Sequence, residues 1–423
     1  MKLMRIAIDN YKSLKGVDIK PSSLSVLIGP NASGKSNFID ALDFLGQIYN
    51  HGLSNAISIK GGYENIAFRR TRRTKAPIFF LIEFVIKRKQ ASFAPYLKSS
   101  INNFRLAHMF SFKSKGAKIK SQFEILSEEM LIYEHGKNNT VDVFEPIFSI
   151  KRTKSILNTY FNPDIIDGKE AQDFFKDLFS NKGHLSYAFH DQLLFISDPL
   201  ISNIFGFREL ASISTFRFSF QSCRSSGTPS VNPRLGLLGE GLPSVVDWIK
   251  SNYKEKWTLI INSMQDILPD IEDIIIDYTH TKRLSLFFKT ANADRPWSSE
   301  EVSDGTLQAL AIFIAITDPR NKILAIEEIE NSIHPWIINV VVNLLRDSSK
   351  QKTIIITTHS PVVIDKISPD EAWIVFKVNG ETKIKNLTTL NPDIKREWEQ
   401  GKYTLSAFLD SGLVPQAIPG GVQ

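Results

Sequence analysis

The hydrophobic positions change period along the chain, and each change marks an element. Alternation over 4–9 and 17–19 predicts two short strands joined around Tyr11, Lys12 and Ser13, and the unbroken apolar run 24–28 (LSVLI) predicts a buried strand. From Ser36 onward Phe38, Ile39, Ala41, Leu42 and Leu45 recur at helical spacing, which predicts a helix ending near Gly46. Residues 78–86 (IFFLIEFVI) and 121–137 (SQFEILSEEMLIYEHGK) read as strands and hairpins of an antiparallel layer, the second turning at 136–138. Residues 151–212 read as mainly helical. A strand at 213–220, a Gly/Pro/Ser-rich loop at 225–243 and a helical stretch at 244–268 follow, then strands at 272–278 and 283–289.

The last third alternates helix and strand: a helix from 303–306, a strand at 322–326, a helix from Pro335 and a strand at 353–357. Pro335 suits a first helical turn because its missing N–H has no intrahelical partner at that position. This alternation predicts an α/β fold with a mainly parallel core sheet, an antiparallel β layer and a helical insertion. The expected units are 1–150, 151–250 and 251–423. No internal repeat, heptad array or low-complexity tract is present.

Composition narrows the class. Of 423 residues, 42% are hydrophobic and 23% charged, and no run of about 18 apolar residues occurs, so a soluble, cytoplasmic chain without a membrane span is expected. The single cysteine, Cys223, excludes an internal disulfide or a Cys-pair metal site. The net charge is +6, with Arg69, Arg70, Arg72, Arg73 and Lys75 clustered and Lys87, Arg88 and Lys89 close behind. Such a cluster can release counterions from nucleic acid, and it can equally be a solvated basic hairpin.

Four short stretches carry candidate chemistry. Gly29, Pro30, Asn31, Ala32, Ser33, Gly34, Lys35 and Ser36 satisfy G-x-x-x-x-G-K-[ST] between a buried strand and an amphipathic helix, with Asn37 next. Backbone N–H groups of such a loop and the helix dipole cradle phosphates, Lys35 reaches the β and γ phosphates, and the Ser36 hydroxyl ligates Mg²⁺. In ILAIEEIENSIHP (323–335), Glu327 and Glu328 emerge at the end of a buried strand, as a metal-side acid and a candidate general base. A second apolar strand ends in Thr358-His359-Ser360, where a histidine can contact the γ phosphate. Ser303, Asp304, Gly305 and Thr306 open a strongly apolar helix whose N-terminus can bind an anion or simply be capped. The acids Asp270, Glu272, Asp273 and Asp277 show no catalytic arrangement and read as surface charge.

These four pieces, in this order, resemble the ABC-type ATPase heads of the SMC, Rad50, RecF and OLD group, and more closely the stand-alone bacterial AAA-15/AAA-21 ATPases. The opening MRIAIDNYKSLKGVDIK…LSVLIGPNASGKSNFIDALDFLG, the segment LLGEGLPSVVDWI (237–249) and LSAFLDSGLVPQ add to the likeness. The resemblance implies that 29–36 is Walker A, Glu327 and Glu328 are Walker B, Ser303 to Thr306 form the signature and His359 is the switch histidine. Several positions depart from the pattern. Glu327 stands where Asp is commoner, the signature reads Ser-Asp-Gly-Thr, His334 occupies the usual place of the D-loop Asp, and no Q-loop glutamine is assigned, Gln122 lying only in the right region.

The resemblance further implies ATP and Mg²⁺ as cofactors, hydrolysis to ADP and phosphate, and a homodimer or higher oligomer in which the signature of one head closes over ATP held by another. The chain has no long coiled-coil insertion, and too little of it follows His359 for the TOPRIM nuclease domain of OLD proteins, so no nuclease centre of its own is expected. A separately encoded effector, a nuclease or TOPRIM-like protein, is the implied partner, in bacterial anti-phage defence of the PARIS, Septu or retron type. The alternative is a RecF-like DNA repair ATPase gripping DNA through Arg69, Arg70, Arg72 and Arg73. A transporter subunit fits less well, because the signature differs and the chain is long.

Overall fold

The computed structural model describes residues 2–68, 76–116, 123–136, 145–153, 156–180 and 212–418, with isolated positions between 192 and 205. The basic residues Arg69, Arg70, Arg72, Arg73 and Lys75 lie outside the described residues, as do Gln122 and most of the turn at 136–138. In chain order the strands are β1 (Lys2–Asp9), β2 (Val17–Ile19), β3 (Leu24–Ile28), β4 (Ile78–Lys87), β5 (Asn103–Ser114), β6 (Phe123–Glu134), β7 (Phe148–Thr153) and β8 (Ile156–Phe161). The second half adds β9 (Ile213–Phe216), β10 (Ile271–Tyr278), β11 (Leu284–Thr290), β12 (Trp297–Ser298), β13 (Ile323–Ile326), β14 (Thr353–Thr357), β15 (Ala372–Val378) and β16 (Glu381–Asn386).

Among the described residues these strands form three sheets. The core sheet has the order β16-β15-β3-β14-β13-β9, with every pair parallel except the antiparallel edge strand β16. A seven-stranded antiparallel sheet runs β2-β1-β4-β5-β6-β7-β8, and β10-β11-β12 form a small third sheet. Both faces of the core sheet are covered, which is why β3, β13 and β14 are buried without interruption. Leu24, Val26 and Ile28 face one hydrophobic cluster and Leu27 the other, as the two-residue period of a strand requires.

The helix Lys35–His51 fills the space between the core and antiparallel sheets. Its Phe44 meets Tyr11 of the junction after β1 and Phe80 of β4, with ring centroids 5.4 and 5.8 Å away. Aromatic pairs of this kind are each worth about 0.5–1.5 kcal/mol beyond area burial. The opposite face of the core sheet is covered by the helices Leu242–Asn252, Asp304–Thr317 and Pro335–Ser349.

Three differences from the sequence reading have physical causes. The helix does not stop near Gly46 but runs on to His51, burying Ile48 and Tyr49. Gly46 is there for proximity: a Cβ would stand 3.0 Å from the backbone oxygen of Ile213 in β9. Replacing Gly46 with Val is therefore expected to destabilise the protein by about 2 kcal/mol or more, read as a lowered melting temperature.

The stretch beginning at 151 is not mainly helical at its start. β7 and β8 form a hairpin that extends the antiparallel sheet to Phe161, and the helix Lys169–Ser180 follows. The exposure of β8 alternates residue by residue, which is the strand period. The antiparallel layer thus passes the boundary at 150, and the 151–250 unit also contributes β9, an edge of the core sheet. Finally, the helical stretch at 244–268 is two helices, Leu242–Asn252 and Lys254–Gln265, divided at Tyr253.

Among the described residues no helix is long and apolar enough to cross a membrane. Arg88 is used internally: its guanidinium donates to the backbone oxygens of Lys98, Ile101, Ala94 and Leu97 at 2.7–3.1 Å. Of the acids at 270–277, Asp273 pairs with Lys250 at 2.6 Å and Glu272 with Lys289 at 2.8 Å.

Candidate nucleotide site

β3 delivers the glycine loop to the carboxyl end of the core sheet, where ligands gather in open α/β folds. The loop curls through left-handed backbone at Ala32 (φ 60°) and Gly34 (φ 111°) and passes directly into the helix at Lys35. Gly34 is also required by contact, since a Cβ would lie 2.1 Å from Thr382 Oγ1. The Lys35 ammonium is folded back onto the loop, donating to the carbonyls of Gly29 (2.8 Å) and Pro30 (3.0 Å). Ser33 Oγ is buried and has no hydrogen-bond partner among the described residues. An orphaned hydroxyl, a lysine and a helix N-terminus in one curled loop fit a phosphate chain.

The acidic strand end arrives beside it. Glu327 is buried, and Ser36 Oγ donates to its Oε1. A hydroxyl and a carboxylate converging in this way are oxygen donors suited to Mg²⁺. Among the described residues no group of three or more His, Cys, Asp or Glu could cage a metal, and Mg²⁺ sites commonly rely on one or two carboxylates plus substrate phosphates. The residues present therefore fit the ion.

Glu328 follows in left-handed backbone (φ 48°), half-buried, with its N–H donating to Thr357 Oγ1 at 2.8 Å. Burial draws the Lys35 ammonium down to about 8, opposed by the carboxylates of Glu328, Glu327 and Glu330. The His359 imidazole, exposed just past β14, is held below its usual range by partial burial and by the Lys35 charge, while Glu330 and Glu328 pull it upward. Lys35, Ser36, Glu327, Glu328 and His359 are thus brought close to one another at the carboxyl end of the core sheet. The structure adds Glu330, whose Oε1 accepts the His359 N–H at 2.5 Å.

The signature residues stand elsewhere. Ser303 caps the helix Asp304–Thr317, its Oγ accepting the Thr306 N–H at 3.2 Å and lying 2.7 Å from Thr306 Oγ1. Arg224 clamps this turn through Ser299 O (2.9 Å), Val302 O (3.1 Å) and Asp304 Oδ1 (2.8 Å). Among the described residues, positions 303–306 share no hydrogen bond or ion pair with the glycine loop. His334 is a helix cap, its Nδ1 accepting the Trp336 N–H at 3.3 Å.

Two features had no sequence motif. Thr382 of β16 is fully buried; its hydroxyl donates to Ser33 O at 2.8 Å and lies 2.7 Å from Ser13 Oγ, which in turn accepts from Asn37 Nδ2 at 2.6 Å. One hydroxyl thus fixes the glycine loop to both ends of the chain. Beside Asn37 lies a cleft of about 300 Å³ lined by Lys12, Ser13, Asn37, Asn65, Phe68 and Gly380. The Tyr11-Lys12-Ser13 junction was visible in the sequence, but only as a link between strands.

A phosphate loop on a parallel sheet, flanked by an acidic strand end and a histidine-bearing one, defines an ATPase head of the ABC P-loop type. Residues 24–365 match the family described as "AAA domain, putative AbiEii toxin, Type IV TA system" (AAA_21), and the chain belongs to that family, as an ATPase of the AAA kind. Among solved structures it is similar to an SMC head bound to the C-winged helix domain of ScpA. The identity is 14%, covering 91% of this chain and 97% of that one, with a TM-score of 0.52, and this likeness carries the fold. An SMC head with an extended coiled coil, bound to the C-terminal domain of ScpA derived from Pyrococcus furiosus, aligns at 14% identity over 95% of this chain and 100% of that one, with a TM-score of 0.47. A 73-residue stretch is 40% identical to the Caenorhabditis elegans chromosome condensation protein dpy-27, covering 15% of this chain and 5% of that protein's length.

Proposed function

We propose that this ATPase binds and hydrolyses MgATP in the pocket around Lys35, and that ATP closes two copies of the chain on each other to control a partner protein. The observation that carries the reading is the convergence of Lys35, Glu328 and His359, joined electrostatically, beside the Ser36–Glu327 contact. The triphosphate lies along residues 29–36, with Lys35 leaving the carbonyls of Gly29 and Pro30 for the β and γ phosphates. The nucleoside occupies the cleft lined by Lys12, Asn37 and Phe68. Ser36 and Glu327 would hold Mg²⁺, which would neutralise polyphosphate charge. Glu328 orients and deprotonates the attacking water, and His359 contacts the γ phosphate.

The signature turn lies outside this pocket in its own chain, so a second protomer supplies Ser303 to Thr306 to close the nucleotide. Ser303 is exposed, and the turn is pre-formed by Arg224, which suits docking in trans. A separately encoded effector is the controlled partner, in anti-phage defence; that an SMC head of this fold is seen bound to a winged-helix domain supports partner binding at such a head. The RecF-like alternative is supported by the basic sequence at 69–75 alone.

Sizing the purified chain with and without MgATP is expected to show an ATP-dependent increase in assembly. Co-expression with neighbouring reading frames is expected to retain a nuclease or TOPRIM-like protein. A chain that stays monomeric with MgATP contradicts the sandwich. Salt-dependent DNA binding that is lost when Arg69, Arg70, Arg72 and Arg73 are neutralised favours the RecF-like reading instead.

A further inference from the structure

Glu330 has no part in the scheme above, yet its side chain ties the loop leaving β13 to the residue that carries the histidine. The loop leaving β13 turns through left-handed backbone at Glu328 (φ 48°) and again at Ser332 (φ 57°). It is closed on itself by the Asn331 N–H to Glu328 O (2.9 Å) and the Ile333 N–H to Glu330 O (3.1 Å). Two of its N–H groups reach the end of β14: Glu328 donates to Thr357 Oγ1 at 2.8 Å and Ile329 to Thr357 O at 3.3 Å. The third link runs in the opposite direction, with the His359 N–H donating to Glu330 Oε1 at 2.5 Å. A bond to a carboxylate is charge-assisted and stronger than one to a neutral oxygen.

The other carboxylate oxygen, Oε2, is buried and has no hydrogen-bond partner among the described residues. Leaving a buried oxygen without a partner is costly, and a neutral amide would make the same tie to His359 without the charge. Glu330 also faces Lys35, whose ammonium its carboxylate, after those of Glu328 and Glu327, supports against the effect of burial.

Resting on the ATPase reading, we infer that Glu330 is a positioning residue with two separable actions. Its Oε1 fastens the backbone of His359 to the loop bearing Glu328, so that both groups keep one spacing across the γ phosphate. Its Oε2 adds negative charge beside the triphosphate and weakens ATP binding, which favours release after turnover.

Steady-state hydrolysis of MgATP by E330A, E330Q and E330D separates the two. E330A is expected to lower kcat about tenfold or more. E330Q, which keeps an acceptor and loses the charge, is expected to recover most of that kcat and to show a lower KM than wild type. E330D, charged but one methylene short of the tie, is expected to lose kcat and provides the test should E330A fail to fold. In an H359A background, which keeps the backbone N–H at 359 but removes the imidazole that the tie places, E330A is expected to add a smaller loss than it causes in wild type, the remainder coming from Glu328.

Wild-type kcat in E330A or E330D overturns the inference, as do E330Q no better than E330A and losses that multiply with H359A. Absence of any turnover by the wild-type protein overturns the ATPase reading itself; turnover that is indifferent to Glu330 overturns only this inference.

Discussion

Glu328→Gln is expected to reduce ATP hydrolysis by at least about 100-fold while leaving ATP binding intact, so that an ATP-bound assembly accumulates. The backbone at Glu328 is held by Thr357 Oγ1, and its side chain leaves from a left-handed turn beside Lys35. Glutamine keeps the size and hydrogen-bonding capacity but cannot take a proton from water. Single-turnover hydrolysis and sizing in MgATP measure the two halves of the expectation. Unchanged hydrolysis removes Glu328 from the role of base, and loss of ATP binding shows that its carboxylate serves the pocket's structure.

Lys35→Met carries the second large effect, a loss of MgATP affinity of about 100-fold or more, measured by equilibrium binding. It also has a signature in the nucleotide-free protein. The folded-state value of Lys35, about 8, lies below its ordinary 10.5, so between these values the unfolded chain binds more protons than the folded one. Stability then rises with pH across that window, and the cost of the buried ammonium is fully present below about 8. Lys352, drawn down to about 8 by burial, contributes a slope of the same sign. Thermal unfolding of Lys35→Met between pH 8 and 10 is expected to show a shallower rise than wild type. An unchanged slope contradicts the burial of Lys35 in the folded protein.

The parts of the site that were legible in the sequence are those in which chemistry and structure share a few consecutive residues. Strand 24–28 and the glycine loop, strand 353–357 and its histidine, and the Ser303 cap are all local patterns, and the elements fall where the apolar runs place them. Reading failed where a residue answers to a distant neighbour. Gly46 looks like a helix stop until Ile213 is seen against it. Thr382 is one polar residue in a short edge strand, and nothing nearby in sequence announces that it holds Ser33. Glu330 sits within the acidic stretch 323–335 but has no motif spacing, and only its bond to His359 distinguishes it. The β7–β8 hairpin was missed because its alternation is short and mixes apolar with polar residues on both faces.

The position of Thr382 bears on when the molecule becomes active during its synthesis. Ser33 and Thr382 are 349 residues apart, and the neighbours of β3 in its sheet, β14 and β15, are both made late. At about 5–20 residues per second, a ribosome needs roughly 20–70 s to cover that interval. For most of it the phosphate loop is made but the strands that flank it are not, and for all of it the hydroxyl that fastens it is missing. Until Thr382 is made, Ser33 lacks the hydroxyl that fastens it, so the last shaping of the phosphate loop waits on residues near the far side of the sequence.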